Sequence, residues 1–163
     1  MAELKATFAA GCFWGPEARF REIRGVRDAI VGYTGGHQDH PTYHEVCTGD
    51  TGHTEAVLVS FDSDVVSYRE LLSHFWAMHD PTTANRQGPD IGTQYRSAIF
   101  VHNDDQREAA LASRDEEQAQ RHDQRRIVTE VCDAGTFWVA EEYHQRFMEK
   151  HRQHFGLRRM FGH

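Results

Sequence analysis

Proline and cysteine are scarce in this chain of 163 residues, which carries four of the first and three of the second. So few prolines, with 39% hydrophobic and 26% charged residues, argue against a disordered or low-complexity polypeptide. Three cysteines, Cys12, Cys47 and Cys132, are an odd number and too few for a disulfide framework. No two of them form a C-x-x-C pair, which removes zinc-ribbon and thioredoxin-type readings. Free thiols suit a reducing compartment, so a cytoplasmic location is expected. Long apolar runs are missing too. The longest, around Ala56-Val57-Leu58-Val59, is strand-sized and far short of the ~18 residues of a membrane span. Basic residues are outnumbered, 18 Lys and Arg against 25 Asp and Glu, for a net charge of −7. That balance disfavours nucleic-acid phosphates as a target. Ala9-Ala10-Gly11-Cys12 has the outline of a lipoprotein cleavage site. The stretch before it holds Glu3 and Lys5 and is too short for a leader, so that reading is set aside.

Residues 1–155 read as a single catalytic domain and 156–163 as a short basic tail. Leu4 to Ala10 predicts a buried strand running into a glycine turn. Pro16 to Arg24 predicts a short helix with Pro16 at its first position, and Ala29 to Tyr33 a second strand. Thr34 to Gly52 is a long Gly/His/Pro loop without helical period. Glu55 to Phe61 is a strand. Ser67-Tyr68-Arg69-Glu70 is a capping box opening a helix with Tyr68, Leu71, Leu72, Phe75, Trp76 and His79 at helical spacing. Asp80 to Gln94 is a second long loop. Strands at Ser97–His102 and Ile127–Val131 alternate with helices at Asp104–Arg121 and Val139–His154. The alternation predicts an α/β (α+β) fold, a two-layer, ferredoxin-like sandwich with helices packed on a mixed sheet.

The most unusual segment is Gly11-Cys12-Phe13-Trp14-Gly15-Pro16. A cysteine between glycines at a strand-to-helix junction meets backbone N–H groups and the positive end of a helix, which can lower a thiol pKa. Phe13 and Trp14 would wall the sulfur with apolar surface, suited to a small, soft electrophile. The alternative is a buried structural cysteine among core aromatics. Residue spacing leaves both open.

Gly11-Cys12-Phe13-Trp14-Gly15 followed by Glu17 resembles the signature of the methionine-S-sulfoxide reductases, the peptide methionine sulfoxide reductase A family. Four further blocks follow in the family's order. They are Gly32-Tyr33-Thr34-Gly35-Gly36-His37; Pro41-Thr42-Tyr43 with Val46-Cys47 and Thr51-Gly52-His53-Thr54-Glu55; Asp80-Pro81-Thr82 with Asn85-Arg86-Gln87-Gly88, Asp90 and Gly92-Thr93-Gln94-Tyr95-Arg96-Ser97; and Ala140-Glu141-Glu142-Tyr143-His144-Gln145. Together they cover about residues 4 to 150, and five blocks in order are far more specific than one.

The resemblance implies an oxidoreductase that returns methionine-S-sulfoxide, protein-bound and free, to methionine, a repair of oxidative damage. It implies Cys12 as the nucleophile, left as a sulfenic acid. Glu55 is the implied proton donor, and its place at the start of an apolar strand would raise its pKa by burial. Tyr43 and Tyr95 match two phenols that hold the sulfoxide oxygen, and Asp90 a carboxylate of the same set. Phe13 and Trp14 match the pocket for the substrate methyl group. No cofactor and no metal are implied. The spacing of His37, His40, His44 and His53 in a Gly/Pro loop gives no clean ligand set. The implied partners are oxidised proteins and peptides, with an external thiol reductant of the thioredoxin or glutaredoxin kind, or dithiothreitol. No nucleic acid or membrane partner is expected, and the chain is expected to be a monomer. Many family members recycle through cysteines near the C-terminus, but residues 147–163 contain none. Cys132 and Cys47 are the candidates left for a resolving thiol. His144 could line the pocket, but as a helix residue beside two glutamates it is expected at the surface or in a hydrogen bond. Two other functions compete: a Cys-His acyl hydrolase with Cys12, His53 and Asp90 as triad, and a non-enzymatic module holding a methionine-like side chain.

Overall fold

A computed structural model describes residues 3–123 and 125–151. Strict alternation along the strands divides the structure into two faces. In β1 (Glu3–Ala10), Ala6, Phe8 and Ala10 point to one side, and Ala9 to the other. In β3 (Thr54–Asp62), Val57, Val59 and Phe61 share the first side, and Ala56 takes the second. In β6 (Ser97–Val101), Ile99 and Val101 oppose Ala98 and Phe100 in the same way. The first face is large and branched, and it is covered by helices. From α1 (Trp14–Arg21) comes Phe20, and from α3 (Tyr68–Ala77) come Leu71, Leu72, Phe75 and Trp76, all in the main core. The capping box at Ser67 and Glu70 is formed as expected. The longer α4 (Asp104–Ala119) packs beside α3 on the same face, with Ala110 in the main core, and Trp76 donates its indole N–H to Ser113 Oγ across the α3–α4 contact, 2.8 Å.

The strands run β7 (Glu130–Asp133), β6, β1, β3, β2 (Val26–Thr34), β8 (Trp138–Val139) across the sheet. All neighbours are antiparallel except β6 and β7, so the sheet is mixed. The inner four strands with α1 and α3 make the β-α-β-β-α-β unit of a ferredoxin-like sandwich, as the alternation predicted. Between them, α2 (Tyr43–Cys47) sits within the 34–53 loop. A two-stranded hairpin, β4 (Arg86–Gln87) with β5 (Asp90–Ile91), sits within the 80–94 loop.

Several boundaries differ from the sequence reading, each for a local reason. The first helix opens at Trp14, so Pro16 is its third residue, still in the turn whose N–H groups lack helical partners. Thr42 and Glu45 form a capping box that nucleates α2 where only a loop is expected. The strand predicted at Ile127–Val131 begins three residues later and ends two residues later, at Glu130–Asp133. Of the helix predicted at Val139–His154, residues 152–154 lie outside the described residues, and over the described part, residues 139–151, no continuous helix forms. That stretch gives the end of β8, a 3-10 turn at Glu142–His144, a left-handed Arg146 (φ 55°) and the single turn α5 (Phe147–Lys150). Its side chains bond to the sheet edge instead, as described below. The 156–163 tail lies outside the described residues.

Candidate active site

Cys12 stands immediately past the end of central strand β1, on a turn whose Gly11 has φ +93°. A Cβ on Gly11 would lie 2.7 Å from Gln87 Cγ, so glycine is needed for both the conformation and the close approach. Gln87 in turn holds the 80–94 loop. Its Oε1 accepts the Asp80 N–H at 2.7 Å, and its Nε2 donates to the Asp80 carbonyl at 2.8 Å. The loop that carries Asp90 is thereby seated on the cysteine turn.

Glu55, the second residue of β3, is 1% exposed. The Phe13 N–H donates to its Oε1 at 3.1 Å, tying the carboxyl to the residue next to Cys12. Burial pushes this carboxyl up to about 8, against the Phe13 N–H, with the charge of Asp90 adding to the rise. Glu55 therefore keeps its proton at neutral pH, as expected for a donor. The thiol departs from expectation. The Trp14 N–H does favour a thiolate on Cys12, but burial outweighs it, and Glu55 and Asp90 add to the rise. The Cys12 pKa is pushed up to about 12 rather than lowered.

Tyr43 opens α2, and Tyr95 closes the 3-10 turn Thr93–Tyr95, where Thr54 Oγ1 donates to the Gln94 carbonyl at 2.9 Å. Burial raises both phenols. Tyr95 reaches about 12, with Glu55, Cys47, Asp90 and Cys12 near enough to act on it, and both remain donors at neutral pH. Phe13, at 1% exposure, and Trp14 line the same side. All seven predicted residues, Cys12, Glu55, Tyr43, Tyr95, Asp90, Phe13 and Trp14, thus come together at one end of the sheet.

The two candidate resolving thiols part company. Cys47 is exposed at the rim, hydrogen-bonded to Tyr43 and near Tyr95. Cys132 is paired level with Phe100, and Phe100 with Thr7, three residues before the end of β1. At ~3.3 Å per residue and ~4.8 Å between strands, Ala10 is already ~14 Å from it, against the ~7 Å a disulfide tolerates. Cys132 also packs on the face opposite the helices. It is not placed to resolve Cys12 in this fold.

The acyl-hydrolase triad fails on His53. Its Nδ1 accepts the Gly36 N–H at 3.0 Å and its Nε2 meets the Gln38 carbonyl at 2.7 Å, so both ring nitrogens fasten a loop. Among the described residues no cluster of three His, Cys, Asp or Glu could hold a metal ion.

Two further residues belong to the site, one of them, Glu141, missed by the sequence reading. His144 is 1% exposed, so of its expected places it takes the hydrogen bond and the pocket rather than the surface. It accepts the Trp14 indole N–H on Nδ1 at 3.0 Å and packs its ring on Phe13, Trp14 and Tyr43. Glu141 accepts from the Tyr33 hydroxyl and from the Tyr43 N–H, both at 2.8 Å. The polar run 141–145 is the signal that could have found Glu141, but a helical reading hides it.

Fold and site together define a class: an α/β-sandwich enzyme with a half-buried thiol near a protonated carboxyl and two phenols beside an aromatic wall. Residues 4–160 match the family model for peptide methionine sulfoxide reductase. A peptide methionine sulfoxide reductase MsrA of Methanothermobacter thermautotrophicus is 59% identical over 146 residues, 90% of this chain and 86% of the relative. The fold matches reduced Mxr1 of Saccharomyces cerevisiae with a TM-score of 0.87 and 38% identity, over 93% of this chain and 87% of the other. It also matches Mxr1 in complex with Trx2, with a TM-score of 0.64 and 27% identity, over 86% and 82% of the two chains. The chain belongs to the peptide methionine sulfoxide reductase family.

Proposed function

We propose that this protein reduces methionine-S-sulfoxide to methionine with electrons from thiols, and that Cys12 carries the oxygen-accepting sulfur. The observation that carries the reading is the Phe13 N–H to Glu55 hydrogen bond, which holds a proton-bearing carboxyl next to the Cys12 turn. The substrate methyl group rests against Phe13 and Trp14. Its sulfoxide oxygen accepts hydrogen bonds from Glu55, Tyr43 and Tyr95, which makes the sulfur electrophilic and the oxygen a better leaving group. Cys12 sulfur bonds to the sulfoxide sulfur, and its proton leaves as Glu55 delivers one to the oxygen. The sulfur–oxygen bond of the substrate and the new sulfur–sulfur bond then break as the hydroxyl passes to Cys12, which is left as a sulfenic acid while methionine departs. The thiol sulfur loses two electrons, the sulfoxide sulfur gains them, and Glu55 regains a proton from solvent.

A thiol from outside then returns Cys12 to its starting state, forming a mixed disulfide that a second thiol opens. A thioredoxin- or glutaredoxin-type protein fits this step, supported by the solved complex of yeast Mxr1 with Trx2. Three unpaired thiols agree with a reducing, cytoplasmic setting. Among the described residues no helix is long and apolar enough to cross a membrane.

The test is incubation with a racemic methionine sulfoxide peptide and dithiothreitol, with chiral separation of what remains. The S epimer is expected to vanish and the R epimer to persist. Cys12→Ser is expected to leave both untouched, since an alcohol at neutral pH is a far weaker nucleophile. Equal loss of both epimers, or full activity in Cys12→Ser, would overturn the reading.

A further inference from the structure

The helix that should follow β8 is replaced by a clip of side chains on the sheet edge. Ala140 N–H donates to the Val31 carbonyl at 3.0 Å. The Gln145 carboxamide then pairs with Val31 on both sides, accepting its N–H at 3.0 Å and donating to its carbonyl at 2.9 Å. A side-chain amide thus stands in for the next strand. Held there, Glu141 faces two groups that are distant in sequence. Its Oε1 takes the hydroxyl of Tyr33, a fully buried residue of β2, and its Oε2 takes the Tyr43 N–H at the start of α2.

The second bond matters because α2 is only five residues long and lies in a long loop. The Thr42–Glu45 capping box fixes its internal turn. Such a box satisfies local N–H groups but does not say where the helix sits relative to the sheet. Glu141 supplies that reference. Tyr33 anchors the carboxylate to the sheet, and the carboxylate anchors the residue whose hydroxyl faces Cys47 and the site.

We propose that Glu141 is a positioning residue which sets the reach of the Tyr43 hydroxyl toward the sulfoxide oxygen, with Tyr33 as its buttress. The proposal rests on the reductase reading above. Glutamine can keep both contacts, its amide oxygen accepting from Tyr43 and its amide N–H donating to the Tyr33 oxygen. Alanine keeps neither.

The experiment is a double-mutant cycle on single-turnover reduction of a methionine-S-sulfoxide peptide, with Glu141→Ala, Glu141→Gln and Tyr33→Phe each made in wild-type and Tyr43→Phe backgrounds. Displacing a binding group by an ångström costs up to ~100-fold in rate, so Glu141→Ala is expected to lose roughly tenfold or more in the wild-type background. In Tyr43→Phe the same change is expected to cost less than about twofold, because residues acting as a unit are not additive. Glu141→Gln is expected to stay within about threefold of wild type, and Tyr33→Phe to lose a few-fold only when Tyr43 is present. Equal fold-losses in both backgrounds, or a glutamine variant as poor as alanine, would overturn the proposal. Should Glu141→Ala fail to fold, Tyr33→Phe carries the same comparison. An inactive wild type would count against the reductase reading instead, so the two failures are distinguishable.

Discussion

Replacing Glu55 by Gln is expected to stabilise the protein while disabling it. In the folded chain burial lifts the Glu55 carboxyl from 4.5 to about 8. Between these values the unfolded chain has released a proton that the folded chain keeps. Where the unfolded state binds fewer protons, stability falls as pH rises, by ~1.4 kcal/mol per pH unit for one group. Over the span from 4.5 to pH 7 Glu55 therefore costs the fold roughly 3 kcal/mol, and the loss levels off above about pH 8. Glutamine has the same shape, can still accept the Phe13 N–H and has no proton to lose. The variant should be more stable than wild type by roughly 2–3 kcal/mol at pH 7, and the gap should close toward pH 4. For a chain of this size that is a rise of roughly 5–10 °C in melting temperature at pH 7. Single-turnover formation of the sulfenic acid should fall roughly 10²–10⁴-fold, the usual worth of a positioned general acid. Guanidinium unfolding of both proteins from pH 4 to pH 8 isolates Glu55, because every other titrating group is common to the pair. A stability gap that does not depend on pH would refute the reasoning. A gap that widens toward acid would reverse its sign.

In the substrate-free protein, alkylation of Cys12 by iodoacetamide should be slow at neutral pH and still rising beyond pH 9, because burial holds its pKa near about 12. Glu55→Gln should shift that curve to lower pH by removing a nearby negative charge, and a plateau near pH 7 in wild type would contradict the site electrostatics. One turnover without reductant should leave a sulfenic acid on Cys12 that a dimedone-type reagent traps, with mass analysis as the readout. Rapid disulfide formation with Cys132 would contradict the sheet register, whereas a Cys12–Cys47 disulfide would identify the rim thiol as the resolver. His79, bonded to the Phe75 carbonyl and to Ser97 Oγ, is held down at about 4 by burial. Below pH 6.5 the unfolded chain gains a proton the folded chain refuses, so stability should fall by about 2 kcal/mol at pH 5, and His79→Gln should flatten that slope in the unfolding assay.

The fold was legible where alternation and helical spacing were strong. Val57, Val59 and Phe61 against Ala56 announce a strand with two different faces, and Ser67 with Glu70 announces α3. The reactive residues were legible because motif blocks carry them, and they meet because Cys12 follows the end of β1, while Glu55 opens β3 and Tyr95 precedes β6, the two antiparallel neighbours of β1. The C-terminal part was not legible. Val139 to His154 has helical spacing on paper, but Gln145 binds Val31 and Glu141 binds Tyr33 and Tyr43. Tertiary hydrogen bonds between residues about a hundred positions apart overrode a weak local preference. The direction of the Cys12 pKa shift was not legible either, for a related reason. A helix N-terminus is visible in sequence, whereas the depth of burial that outweighs it belongs to the assembled sheet.

The helix-free face of the sheet is lined by Ala9, Ala56, Ala98 and Phe100, and Cys132, Ala134 and Phe137 pack against it. The strap from 132 to 145 passes so close to β2 that a Cβ on Gly32 would stand 2.4 Å from the Trp138 carbonyl. It is fastened at intervals, Ala134 to Val101, Thr34 to Thr136, Ala140 to Val31, and continues into the residues that grip Trp14 and Tyr43. By contrast, Glu55 belongs to β3 and Cys12 stands on the turn that follows β1, the two strands at the centre of the sheet. Peripheral segments with few buried contacts open at lower free energy than central strands. When this molecule breathes, the strap lifts before the sheet yields, and what leaves with it is the hold on the substrate. A partly opened molecule keeps its reactive pair but cannot seat a methyl group. Mild heat or denaturant should thus wear the enzyme before the sheet unfolds, with KM climbing and the rate on bound substrate falling as Glu141 releases Tyr43.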